Sequence, residues 1–248
     1  MGPILLLHGF LGSRADFDGL AACLPESARV TAPDWPGHGI HGGVREGAAY
    51  SLASHVALVR TWIESQAEPG TLLGYSMGGR LLQHALRDRE RLPPGWRVVL
   101  VSTSPGISDP DEADNRRRGD AAAARLLREG GMGPFLRYWH NQTFFRPLLG
   151  LRPERLGPIL DRRRAADPEG LALSLEHVGP GSVPGTEDVL RRLACRVDIV
   201  AGDADPRYVD LGRQMAGLIP GSSLHVVPGA GHALHLEQPD ALAGILGS

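Results

Sequence analysis

The sequence predicts an α/β fold: a mostly parallel sheet of about six strands with an inserted helical segment. Three observations carry that prediction. Short apolar runs without alternation recur along the chain, as strands buried on both faces require. Helical stretches separate them, which implies right-handed crossovers between parallel strands. Between about residues 106 and 184 the strand-like runs stop, arginines crowd together and helical patterns take over before strands resume. That pattern marks a helical cap inserted into a single 248-residue domain.

Ile4-Leu5-Leu6-Leu7 predicts the first strand, and His8 to Ser13 the loop leaving it. A helix is expected over Arg14–Leu24 and a second strand over Arg29–Ala32, ending in Pro33-Asp34-Trp35-Pro36-Gly37-His38-Gly39. Leu52, Val56, Val59 and Ile63 recur at helical spacing, so Tyr50–Gln66 reads as an amphipathic helix broken by Pro69-Gly70. Thr71–Tyr75 and Val98–Val101 are the third and fourth strands. In the insertion, Asp111–Glu129 is a helix stopped by Gly130-Gly131. Asp167-Pro168-Glu169 opens another by cap and first-turn proline, and it closes at Gly179. Val197–Ala201 and Leu224–Val227 are the last two strands, with helices over Arg207–Leu218 and Ala233–Leu246.

The third strand runs into Gly74-Tyr75-Ser76-Met77-Gly78 and then a helix carrying Leu81, Leu82, Ala85 and Leu86. Gly-x-Ser-x-Gly alone is weak in a chain with 33 glycines. Its strand-before and helix-after context is what a nucleophile elbow needs, with small residues flanking a strained serine. A serine hydroxyl also needs a histidine to take its proton and a carboxylate to orient that histidine. His232, in the glycine-rich loop after the last strand, is the candidate base. After the fifth strand, Gly202-Asp203-Ala204-Asp205 offers two acids; Asp205 is favoured by the Gly-x-x-Asp offset, with Asp203 the fallback. The backbone N–H groups of Phe10 and Met77 are the candidate oxyanion hole. His38 and His41 are expected in a flexible loop, and His235 lies one helical turn beyond His232. None has partners completing a ligand set, so no metal and no other cofactor are expected.

Hydrophobic residues make up 42% of the chain and charged ones 22%, with a formal net charge of -2. That balance leaves no electrostatic footprint for nucleic acid or an anionic membrane. Cys23 and Cys195 form neither a CxxC pair nor a metal spacing, as in a reduced, cytoplasmic setting. No signal peptide or membrane-spanning run is read, and the oligomeric state is left open.

These motifs resemble the α/β-hydrolase fold, and the whole chain is similar to the 2-succinyl-6-hydroxy-2,4-cyclohexadiene-1-carboxylate synthase family of menaquinone biosynthesis. The matching stretches are Leu7-His8-Gly9-Phe10-Leu11-Gly12-Ser13, Pro36-Gly37-His38-Gly39, Gly74 to Arg80, Ser104-Pro105-Gly106-Ile107, Arg116 to Asp120, Phe135 to Trp139 and Val226 to His232. The resemblance implies a lyase that eliminates pyruvate, with Ser76, Asp205 and His232 catalytic. It implies substrate contacts at Tyr75, Arg80, Arg116 and Trp139, and a small anionic substrate with three carboxylates, which guanidinium forks match bidentately. Arg162, Arg163 and Arg164 are expected to form a solvent-facing run, the alternative being that one of them points inward. Departures are the first strand at the very N-terminus, Ala204 where a basic residue often precedes the acid, and His140 where a tyrosine is common. The same triad would serve a carboxylesterase or carbon–carbon bond hydrolase, with Ser76 as nucleophile. A ligand-binding receptor is a third reading, disfavoured by an intact triad.

Overall fold

The computed structural model describes residues 2–88 and 92–248. Its six strands are β1 (Ile4–Leu7), β2 (Val30–Thr31), β3 (Thr71–Tyr75), β4 (Arg97–Val101), β5 (Arg196–Gly202) and β6 (Ser223–Val227). They form one sheet in the order β2-β1-β3-β4-β5-β6, and every pairing is parallel. Apart from Thr71 and Arg97 at their starts, β1, β3 and β4 are apolar and buried because helices cover both faces of the sheet. Strand order reverses between β1 and β3, so the loops leaving these strands diverge to opposite sides. A crevice opens there at the carboxyl edge, the place where such sheets bind ligands.

The helices are α1 (Asp18–Ala22), α2 (Leu52–Ser65), α3 (Met77–Ala85), α4 (Pro110–Gly130), α5 (Met132–His140), α6 (Arg146–Leu149), α7 (Pro153–Arg164), α8 (Pro168–Val178), α9 (Glu187–Leu190), α10 (Pro206–Leu218), α11 (Leu234–Glu237) and α12 (Pro239–Gly247). Side-chain caps start four of the five longest of these, with Asp205 accepting from the Tyr208 amide at the head of α10. Ser51 accepts from the Ser54 amide, Asp109 from Glu112 and Asp167 from Gly170. Between β4 and β5, α4, α5 and α8 bury Ala124, Leu127, Phe135, Leu171 and Leu175 against one another and against Leu11, at the mouth of the crevice. No helix among the described residues is long and apolar enough to cross a membrane.

Two expected elements differ. The terminal helix breaks at Gln238, whose backbone (φ −135°, ψ 66°) is non-helical before Pro239, since a proline ring disfavours helical geometry at the preceding residue. The Arg14–Leu24 segment is a 3₁₀ turn over Arg14–Phe17 followed by the short α1.

The interior is unusually polar on the site side. His8, His38, His55, His84, His232 and His235 are all buried. Burial lowers His38 and His235 from the usual 6.5 to about 3, so both stay neutral in the fold.

Two consequences are measurable. A folded-state pKa below the unfolded one means the unfolded chain binds more protons as pH falls through 6.5, so acid favours unfolding. Between pH 7.5 and 5.5, His38 and His235 together should remove roughly 2–3 kcal/mol, lowering Tm by roughly 4–12 °C. A Tm unchanged over that range would contradict neutral burial. Separately, a Cβ on Gly78 would overlap the carbonyl oxygens of Leu7 and His8, which are backbone and cannot swing away. Gly78→Ala should cost about 1–3 kcal/mol or more, read as a lowered denaturation midpoint.

Candidate active site

Ser76 joins β3 to α3 with φ of 51°, a left-handed backbone that serine rarely adopts. The neighbouring strand holds it: the Ser76 amide donates to Val101 O at 2.9 Å, and the Thr103 hydroxyl donates to Ser76 O at 2.7 Å. Close packing is what makes the turn sharp. A Cβ at Gly74 would stand 2.5 Å from Gly79 Cα, and one at Gly79 would stand 2.6 Å from the Thr103 side chain.

His232 Nε2 lies 3.2 Å from Ser76 Oγ, and His232 Nδ1 lies 2.9 Å from Asp205 Oδ2. Asp205 is buried, and with its carboxylate oxygen accepting from Nδ1–H, Nε2 is left to accept from the serine. Asp203, the fallback acid, is exposed and instead accepts the Gly229 amide at 2.7 Å, bracing the loop that carries His232. Of the two acids, only Asp205 reaches the imidazole. Among the described residues, the Phe10 and Met77 amides donate to no protein acceptor. Both border the same cavity as Ser76.

That cavity has a volume of about 100 Å³. Among the described residues, three arginines line it, Arg80, Arg116 and Arg207, and no Asp or Glu does. Arg80 is 6% exposed, and its side chain makes no hydrogen bond or ion pair among the described residues; its Nε is buried without a partner. Burial lowers its guanidinium to about 10, so it remains cationic at neutral pH. Arg116 is half-buried and is oriented by Asp120, which accepts from its Nε at 2.8 Å. Arg117 pairs with Asp114, and Arg118 is exposed, so one residue of that run faces the cavity. Trp139 stacks on Phe135 at 5.5 Å and meets Phe10 at 5.0 Å, forming an aromatic wall. Tyr75 is buried, and its ring lies 5.4 Å from His232.

Two sequence expectations are corrected. Arg162–Arg164 do not form a solvent-facing run. Arg163 is buried and donates to His140 Nε2 at 2.9 Å, Arg162 pairs with Asp16 at 2.8 Å, and Arg164 alone stays exposed beside Asp161. Arg162 and Arg163 border a separate cleft with His38. His140 accepts there because burial, with Arg163 and Arg164 nearby, lowers it to about 4 and keeps it neutral. His38 is likewise not in an open loop: it is 1% exposed, its ring 5.2 Å from His8 and 5.7 Å from Phe10.

Sequence reasoning missed Arg207 and Tyr208, which line the cavity just after Asp205. Tyr208 packs 4.4 Å from the His232 ring. The signal lay in Asp205-Pro206-Arg207-Tyr208: a cap and first-turn proline place the next two side chains at the rim.

A model of the alpha/beta hydrolase family matches residues 4–245. A putative 2-succinyl-6-hydroxy-2,4-cyclohexadiene-1-carboxylate synthase of Bacillus subtilis is 31% identical over 95% of this chain and 85% of its own length. The structure of MenH from S. aureus superposes with a TM-score of 0.91 at 27% identity, covering 99% of this chain and 91% of that one. A thermophilic esterase from Thermogutta terrifontis, solved with malate bound, superposes at 0.75 with 26% identity over 99% and 88%. The chain belongs to the alpha/beta hydrolase family, and within it resembles the 2-succinyl-6-hydroxy-2,4-cyclohexadiene-1-carboxylate synthases.

Proposed function

We propose that the protein is a lyase of menaquinone biosynthesis that eliminates pyruvate from a succinyl-enolpyruvyl-cyclohexene carboxylate. The observation that carries this reading is the cavity at Ser76: three arginines line it and, among the described residues, no Asp or Glu does; Asp120 holds Arg116 from outside the lining, and Arg80 is desolvated with an unpartnered side chain. An acyl pocket for neutral esters gains nothing from a buried cation that burial makes costly. A tricarboxylate offsets that cost with charge-assisted, bidentate contacts.

In this mechanism His232 takes the Ser76 proton, and the serine oxygen removes the ring proton next to the succinyl carbonyl. The carbonyl becomes an enolate held by the Phe10 and Met77 amides. The electron pair re-forms the carbonyl and a ring double bond as the carbon–oxygen bond to the enolpyruvyl group breaks. Enolpyruvate takes a proton through His232 and becomes pyruvate. Asp205 keeps Nε2 facing the serine throughout. Trp139 and Tyr75 flank the ring, and the helices between β4 and β5 act as a cap that shields the enolate from water.

The second reading is a carboxylesterase or carbon–carbon bond hydrolase with Ser76 as nucleophile. The 3.2 Å Ser76–His232 approach and the likeness to a solved esterase support it.

Release of pyruvate on incubation with the synthase substrate is the primary test; a wild type that cleaves esters well but yields no pyruvate contradicts the lyase. Arg80→Ala removes a contact worth about 1.5–3 kcal/mol or more, so kcat/KM should fall roughly ten- to a hundredfold or more. Arg80→Lys should recover part of that, while turnover of a small neutral ester should hardly change. Equal losses on both substrates would mean Arg80 supports the fold. Asp205→Asn should lower kcat by about two orders of magnitude or more, because an amide no longer fixes the imidazole tautomer. Asp203→Asn keeps an oxygen for the Gly229 amide and should change kcat by less than about threefold. The reverse ranking would reassign the acid.

A further inference from the structure

Glu237 closes α11 as a carboxylate that is 6% exposed and pairs through its side chain with no cation among the described residues. Such a group is costly to bury unless its oxygens are satisfied. Both are, by backbone donors on the two sides of one residue. Oε2 accepts the Gly231 amide, and Oε1 accepts the Ala233 amide at 3.0 Å. The residue between them is His232, whose own amide donates to Phe144 O at 3.2 Å. Three successive amides are therefore held. The loop is also pressed against its neighbours, since a Cβ on Gly231 would lie 2.7 Å from Phe144 O and 2.9 Å from the Pro147 ring. With the backbone fixed at 231, 232 and 233, only two side-chain torsions remain to set the imidazole between Asp205 and Ser76.

A helix cap explains less. It accounts for the Ala233 amide, which begins the four-residue α11, but not for Gly231, which lies outside the helix beyond His232. Nor does it account for keeping a charge here, where desolvation first and the Asp205 charge last push the Glu237 carboxyl up, against the pull of the two amides. An ionised carboxylate is the one side chain that accepts on both oxygens at once.

From this geometry we infer that Glu237 is a positioning residue, clamping the backbone on both sides of His232 so that the imidazole bridges Asp205 and Ser76. The inference rests on the reading of His232 as the proton acceptor, and touches no group that binds substrate.

The test uses the full chain with Glu237→Gln and Glu237→Ala, assayed well below each variant's Tm. Gln keeps the size and one acceptor but turns an NH₂ toward an N–H donor. A positioning role predicts kcat reduced about tenfold to a hundredfold in Glu237→Gln with KM within about twofold, because the arginines are untouched. It also predicts that the downfield proton resonance of His232 Nδ1–H in the wild type weakens or shifts in the variant. A lowered Tm with kcat and that resonance unchanged would make Glu237 merely structural and overturn the inference. A raised KM with kcat unchanged would overturn it too. Should Glu237→Ala not fold, Glu237→Gln alone decides. Should the wild type release no pyruvate, the lyase reading fails by itself; the same comparison on neutral-ester turnover, which needs the same imidazole, then decides for Glu237.

Discussion

A left-handed serine between a strand and a helix is the constraint on which the rest of this molecule depends. Holding Ser76 at φ 51° costs about 1–3 kcal/mol. The surroundings must over-determine it, and they do so through the parallel sheet. β4 supplies Val101 O for the Ser76 amide, and the loop beyond it supplies the Thr103 hydroxyl. The glycines at 74, 78 and 79 let β3, α3, β1 and Thr103 approach at distances no side chain permits. Ser76 therefore stands at the switch between β1 and β3, within reach of the loops leaving β1, β5 and β6. The fold positions the site through backbone contacts, which leaves the cavity wall free to vary.

The wall is built on an opposite principle, electrostatic imbalance. Buried arginines elsewhere have partners: Arg97 donates to Asp198 at 2.7 Å and to the carbonyls of Leu246 and Ile245, tying β4 to the end of α12. Arg80 has none. A cation kept desolvated and unpaired beside Ser76 is stabilised when an anion arrives, and on the lyase reading this couples binding energy to substrate charge. Tyr208, Phe10 and Trp139, the last stacked on Phe135, give that space an aromatic wall.

Much of this was legible in the residues. The β3 run, the small residues around Ser76 and the strand that precedes Asp205 are local patterns, fixed by backbone sterics and burial, and local patterns read directly. The β6 loop that brings His232 to Asp205 was legible for the same reason. Side-chain burial in the helical insertion was not. Arg163 looks like part of a solvated run, but the turn of α7 sends it inward to a histidine kept neutral by burial, and its neighbour Arg162 to Asp16. His38 was hidden similarly, because positive φ at Gly37 and Gly39 folds its loop inward against His8. Such long-range pairings are set by how elements pack, and no spacing along the chain encodes them.

The central claim is that Ser76 moves a proton here and does not carry an acyl group. Intact-protein mass spectrometry during turnover of the succinyl-enolpyruvyl substrate tests it most directly. The lyase account predicts that the protein keeps its unmodified mass while pyruvate accumulates. A covalent substrate-derived adduct on Ser76, formed and consumed at the rate of turnover, would contradict it.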